Sequence, residues 1–216
     1  MLWLDSADSL ATDLPAAWLI ATDATPRNLA ERSALRRSAA LRLLARQLGR
    51  PETGLAIDHD LAGRPYLVGP SASGLHISLA TRGGIVAVAL ARGLVGIDVK
   101  RVDMQAEPPF DVLHPDERAI LDAADSTLRP RIFARLWAAK EAYVKALGTG
   151  FRRAPESFAV TLLSDTAFGV IDESQTGDAV GSFRAMKNGG HEIMAAALVM
   201  PGRAGPISPA GRRASS

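Results

Sequence analysis

Trp137, Glu141 and Lys145 recur at intervals of four residues, so on a helix they form a single stripe. A carboxylate and an ammonium one turn apart can serve as a proton acceptor and an anion-stabilising cation. They can equally be a helix-stabilising pair worth about 0.3–0.5 kcal/mol, and spacing alone favours that pair. A second acid stands in Gly96-Ile97-Asp98-Val99-Lys100, where strand alternation puts Asp98 and Lys100 on one face and Ile97 and Val99 on the other. A carboxylate in so apolar a strand is costly to bury unless it is paired, hydrogen-bonded or bound to a cation; near a strand end it can also shape a turn. Two acids on separate elements, with arginine-rich surface elsewhere, would suit a hard divalent cation held together with a polyphosphate ligand. Arg32, Arg36, Arg42 and Arg46 supply that surface, either as an ordinary solvated helix face or as a phosphate-binding one.

These residues need elements to carry them. The spacing predicts a helix from Thr25, as N-cap, and Pro26 to Gly49. Ala30, Ala34, Leu41, Leu44 and Leu48 fall on its apolar side, and Leu35 and Leu43 interrupt the arginine side. A turn over 62–67 leads to a short strand, and 75–91 reads as a hairpin turning at Gly83-Gly84, where φ > 0 is needed. A third strand over 94–102 is expected to continue that antiparallel sheet. A helix starts near Pro115, with Asp116 and Glu117 at its positive end. A second, from about Pro130 to Leu147, stops at Gly148-Thr149-Gly150. Its opposite stripe, Ile132, Leu136, Tyr143 and Leu147, is widened by Phe133 and Val144, which leaves Glu141 and Lys145 at the margin of a buried groove. Strands over 157–163 and 181–200 follow, the latter turning at Asn188-Gly189-Gly190 in an echo of the first hairpin. The echo suggests two related lobes, 1–101 and 102–200, and the Pro, Gly, Arg and Ser of 201–216 read as a disordered tail.

Composition narrows the classes. The 216 residues are 47% hydrophobic and 22% charged, a globular balance that excludes collagen-like and disordered chains. With 25 Lys and Arg against 23 Asp and Glu, the net charge of +2 implies no nucleic-acid partner. The arginine helix and Arg212-Arg213 are the only features that would suit one, and 5% aromatic residues offer little stacking surface. The absence of Cys excludes disulfides, thiolate metal sites and a cysteine nucleophile. The longest apolar runs, Ile85–Ala91 and Ile193–Met200, fall short of the ~20 residues that span a bilayer, and the acidic start lacks a leader's basic and apolar pattern. A soluble cytoplasmic protein is expected.

Val95-Gly96-Ile97-Asp98-Val99, followed by Trp137, Lys140, Glu141 and Lys145 in a W-x-x-K-E-x-x-x-K pattern and by Gly148-Thr149-Gly150, resembles the paired motifs of the Sfp-type 4′-phosphopantetheinyl transferases. Gly63-Arg64-Pro65 resembles that family's G-K/R-P element, and Ile77-Ser78-Leu79 its next motif. The resemblance covers about residues 27–200. It implies an α+β fold of two pseudo-symmetric lobes, each a small antiparallel sheet packed with a long helix, with the active site between them. It further implies Mg²⁺-dependent transfer (Mn²⁺ possible) of the phosphopantetheine arm of coenzyme A to a serine of an acyl, peptidyl or aryl carrier protein, with release of 3′,5′-ADP. Under it, Asp98 and Glu141 match the metal ligands, Glu141 the base and Lys145 the cation beside the leaving group. Arg64, Ser78, Arg82 and Lys140, with Arg32 or Arg36 at the 3′-phosphate, match the coenzyme A side. The expected molecule is a monomer in the cytoplasm.

Two departures stand out. Many members carry Asp-x-Glu where this chain has Asp98-Val99-Lys100, and a protonated lysine cannot ligate a cation. Many also place a His beside the serine where this chain runs Ser78-Leu79-Ala80-Thr81-Arg82; Arg82 is the nearest replacement, and His76 lies on the wrong side of Ser78. These departures leave open a relative that binds coenzyme A or a carrier protein without efficient transfer.

Overall fold

The computed structural model describes residues 1–200 apart from Thr25, Ser71, Thr176 and Asp178. The expected cap Thr25 and the expected tail 201–216 therefore lie outside the described residues. The chain is mixed α and β, as anticipated. Strands β1 (Leu2–Leu4), β2 (Ala16–Ala21), β5 (His76–Arg82) and β6 (Ile85–Ala91) form one sheet in the order β1-β2-β6-β5. It is antiparallel except for the parallel β1–β2 pair. Strands β7 (Val95–Arg101), β8 (Ala159–Leu162), β9 (Ala167–Ile171), β10 (Ala179–Asn188) and β11 (His191–Val199) form a second, antiparallel sheet in the order β7-β11-β10-β9-β8. β3 (Ala56–His59) and β4 (Pro65–Val68) make a separate two-stranded ribbon.

The third strand thus departs from expectation. β7 does not extend the first hairpin's ladder; it pairs with β11, Asp98 opposite Ala196. It still lies beside β5, because the Ile97 N–H donates to the Ser78 hydroxyl at 3.1 Å. The two glycine hairpins also meet, Asn188 donating to the Gly83 carbonyl at 2.9 Å.

Period-two patterning stacks the layers. Ile85, Ala87 and Ala89 of β6 share a core with Ile97 and Val99 of β7 and with Ile193, Ala195 and Ala197 of β11. The other face of β6, Val86, Val88 and Leu90, packs with helix α1 (Leu29–Gln47). The other face of β11, Met194, Ala196 and Leu198, packs with helix α3 (Arg129–Leu147). The order is therefore α1, first sheet, second sheet, α3. Helix α1 begins at Asn28, whose side chain caps the Glu31 N–H. Its buried residues are Ala40, Leu43, Leu44 and Ala45, while Ala30 and Ala34 are exposed. The apolar side holds in part: Leu44 is buried and Leu41 and Leu48 pack on the core, whereas Ala30 and Ala34 face outward and Leu35 and Leu43, expected on the arginine side, join the packing. Helix α2 (Pro115–Ala123) starts at a capping box of His114 and Glu117. Among the described residues no helix is long and apolar enough to cross a membrane.

Candidate active site

Gly96 brings β7 against α3. A Cβ there would stand 1.8 Å from the Ala142 carbonyl oxygen, so only glycine permits the approach. The next residues on that face of β7, Asp98 and Lys100, are delivered to the stripe of Trp137, Glu141 and Lys145. The Lys145 Nζ donates to Asp98 Oδ1 at 2.6 Å and to the Ile97 carbonyl at 3.1 Å, with 15% of the Asp98 side chain and 30% of the Lys145 side chain exposed. Glu141 is half-buried. Burial, and then the charge of Asp98, push its carboxyl above the usual range, against the pull of Lys145 and Lys100. Among the described residues its carboxylate accepts no hydrogen bond. The Lys100 Nζ rests over the rings of Phe133 and Trp137, 5.6 and 5.9 Å from their centroids.

This seam divides two clefts. The first is lined by Arg36, His59, Arg64, Ser78, Lys145 and Gly148 among others. Gly148, left-handed at φ 69°, caps α3, and a Cβ on it would lie 2.0 Å from the Arg64 guanidinium. The arginine therefore lies flat on the helix end, its Nε buried without a partner. The second cleft is lined by Arg32, Arg82, Lys100, Arg101, Phe133 and Trp137 among others. The arrangement offers anion-binding groups on both sides of a paired carboxylate centre, a setting for polyphosphate chemistry with a hard cation.

Residues 94–195, which run from β7 into β11 and carry Asp98, Glu141 and Lys145, match the family model of the 4′-phosphopantetheinyl transferase superfamily. The chain is also 48% identical over 52 residues to a holo-[acyl-carrier-protein] synthase of Anaplasma phagocytophilum (strain HZ), an alignment covering 23% of this chain and 43% of that relative.

Against the superfamily resemblance, the structure gathers most of the anticipated residues and separates some. Asp98, Glu141 and Lys145 converge. Arg36, Arg64 and Ser78 share the first cleft, whereas Arg32 and Arg82 line the second; α1 therefore points its arginines into both. Arg82, expected as the nearest replacement for the histidine beside Ser78, thus lines a different cleft from that serine. His59, on the ribbon, enters the first cleft instead, and nothing in its local sequence marks it. Ser78 is 3% exposed and its hydroxyl is engaged by Ile97, so it joins β5 to β7 as much as it lines the cleft.

Lys140 requires correction. Expected on the coenzyme A side, it is 1% exposed, and its ammonium is spent on Glu117 Oε1 at 2.8 Å and on the carbonyls of Pro155 and Phe158 at 2.7 and 2.8 Å. It secures α3 to α2 and to the 155–158 segment that leads into β8. Glu117, read in the sequence only as a complement to the helix dipole, is fully buried; it also accepts the His114 and Val160 N–H groups.

Proposed function

We propose that the protein is an Sfp-type phosphopantetheinyl transferase that moves the 4′-phosphopantetheine arm of coenzyme A to a serine of an acyl or peptidyl carrier protein and releases 3′,5′-ADP. The observation that carries this reading is the convergence of Asp98, Glu141 and Lys145 on the β7–α3 seam, within the matched segment and between two cation-lined clefts. Mg²⁺, or Mn²⁺ in its place, is the expected metal. Among the described residues no group of three or more His, Asp or Glu side chains could hold an ion, but a Mg²⁺ shared with ligand phosphates needs only one or two carboxylates. The mutual repulsion of Asp98 and Glu141 is what such an ion would relieve, so the donor set fits. When bound, the ion would neutralise pyrophosphate charge.

The remaining chemistry belongs to the chain. Arg36 and Arg64 in the lobe of residues 1–101 bind the nucleotide end. The lobe of 102–200 contributes α3, and pairing with β11 presents Asp98 to it. Glu141, its carboxyl made more basic by burial, takes the proton of the carrier serine. The serine oxygen bonds to the β-phosphorus as the bridging P–O bond to the α-phosphate breaks, the electron pair leaving with 3′,5′-ADP. Lys145 stands beside that leaving oxygen. The working form is a cytoplasmic monomer without nucleic-acid or membrane partners. Mass spectrometry of several apo carrier proteins incubated with the protein, coenzyme A and Mg²⁺ should reveal the phosphopantetheine adduct on serine. Coenzyme A binding with no adduct on any carrier would favour instead a binding relative, the reading that Lys100 at a usual acid position supports; no binding at all would overturn both.

A further inference from the structure

Lys145, Asp98, Glu141 and Lys100 follow one another along the seam, but the two lysines differ in occupation. Lys145 is committed to Asp98 and to the Ile97 carbonyl. Lys100 has no carboxylate within ion-pair distance among the described residues and is held instead by the faces of Phe133 and Trp137. A half-buried ammonium without a counter-ion is an unfavourable arrangement that an anionic ligand would relieve. The neighbouring charges sharpen this: Arg32, Arg82 and Arg101 line the same cleft against only Asp103 and Glu107.

We propose that Lys100 is a phosphate-binding residue that grips the diphosphate of coenzyme A directly, so that part of ligand binding in this chain is independent of the metal. The proposal rests on the transferase reading. A glutamate at this position would act on the phosphates only through an ion; the lysine acts on them itself, steadied by its aromatic seat. Phe133 and Trp137 thereby become positioning residues for the cation.

The test is calorimetric titration of coenzyme A into the native protein and into Lys100→Met, Lys100→Arg and Lys100→Glu, each in EDTA and in excess Mg²⁺, with thermal midpoints measured in parallel. The native protein should bind in EDTA. Lys100→Met keeps the contact with the rings and should lose about ten-fold or more in EDTA, the scale of one charge-assisted hydrogen bond. Lys100→Arg should stay within a few-fold of native, and Lys100→Glu should bind weakly in EDTA yet gain the most from Mg²⁺. Native-like affinity of Lys100→Met in EDTA, or native binding that vanishes without Mg²⁺, would overturn the role of Lys100 alone. Should the methionine variant not fold, equal EDTA affinities of the arginine and glutamate variants would do the same. Absence of coenzyme A binding by the native protein under both conditions would bring down the transferase reading and this proposal together.

Discussion

Removing one carboxylate from the seam separates chemistry from folding. Asp98→Ala and Glu141→Ala should each lower single-turnover transfer by at least about 100-fold, the scale of losing a proton acceptor or an electrostatic partner, with thermal midpoints near native. Near-normal transfer by both would remove them from the mechanism. Lys145→Ala should slow transfer more than it weakens coenzyme A binding, because charge on the leaving oxygen is greatest in the transition state; equal losses would make it a ground-state binder. At this scale much was legible. The i, i+4, i+8 stripe and the alternation about Asp98 place the three groups on the faces where they are found. What spacing could not reveal was occupancy. Nothing local in Lys140 tells that three acceptors from α2 and the 155–158 segment absorb its ammonium, because those partners arrive from elsewhere in the chain.

Elements set the distances on which those residues depend. Gly96→Ala would force a methyl group into the Ala142 carbonyl, and the rigid backbone on both sides leaves no flexible neighbour to yield. We expect a loss of about 3 kcal/mol, at the upper end of overpacking costs, together with transfer activity as β7 lifts from α3; urea unfolding and the transfer assay would check both. Lys140→Met should cost about 3 kcal/mol by leaving Glu117 buried and unpaired, without changing coenzyme A affinity. Adding Glu117→Gln, which removes the buried charge and keeps one oxygen to accept one of the two backbone N–H groups, should recover part of that stability. A large fall in affinity with stability intact would return Lys140 to the ligand side. The hairpins and the long C-terminal helix were readable because their signals are local: Gly-Gly turns, period-two runs and a stop at Gly148. The pairing of β7 was not, since its partner β11 lies some ninety residues onward, and the half-covered face of α1 follows from what packs against it rather than from its own periodicity.

Across the whole molecule, Asp172 ties the end of β9 to α3. It accepts the Tyr143 hydroxyl at 2.8 Å, and Arg153 pairs with it at 2.5 Å. Burial alone would push its carboxyl up, but the hydrogen bonds from Ser174 and Tyr143 and the charge of Arg153 outweigh it and hold the group below its ordinary value. A depressed folded-state value means that this stabilisation is present above the unfolded value near pH 4 and is lost as pH falls through the lower folded one. Asp172→Asn should therefore be less stable than native at pH 7, and the difference should shrink in thermal melts taken toward pH 3; a constant difference would show that the carboxylate charge plays no part. The pairing of β7 with β11 also carries a consequence for synthesis. Asp98 leaves the ribosome early, but its strand has no ladder partner until the chain has been made through Val199. Because domains organise as their segments emerge, every shorter nascent chain lacks the sheet that presents Asp98 to α3. The seam is consequently assembled only after β11 has been made, and a chain cut short before it has no finished centre.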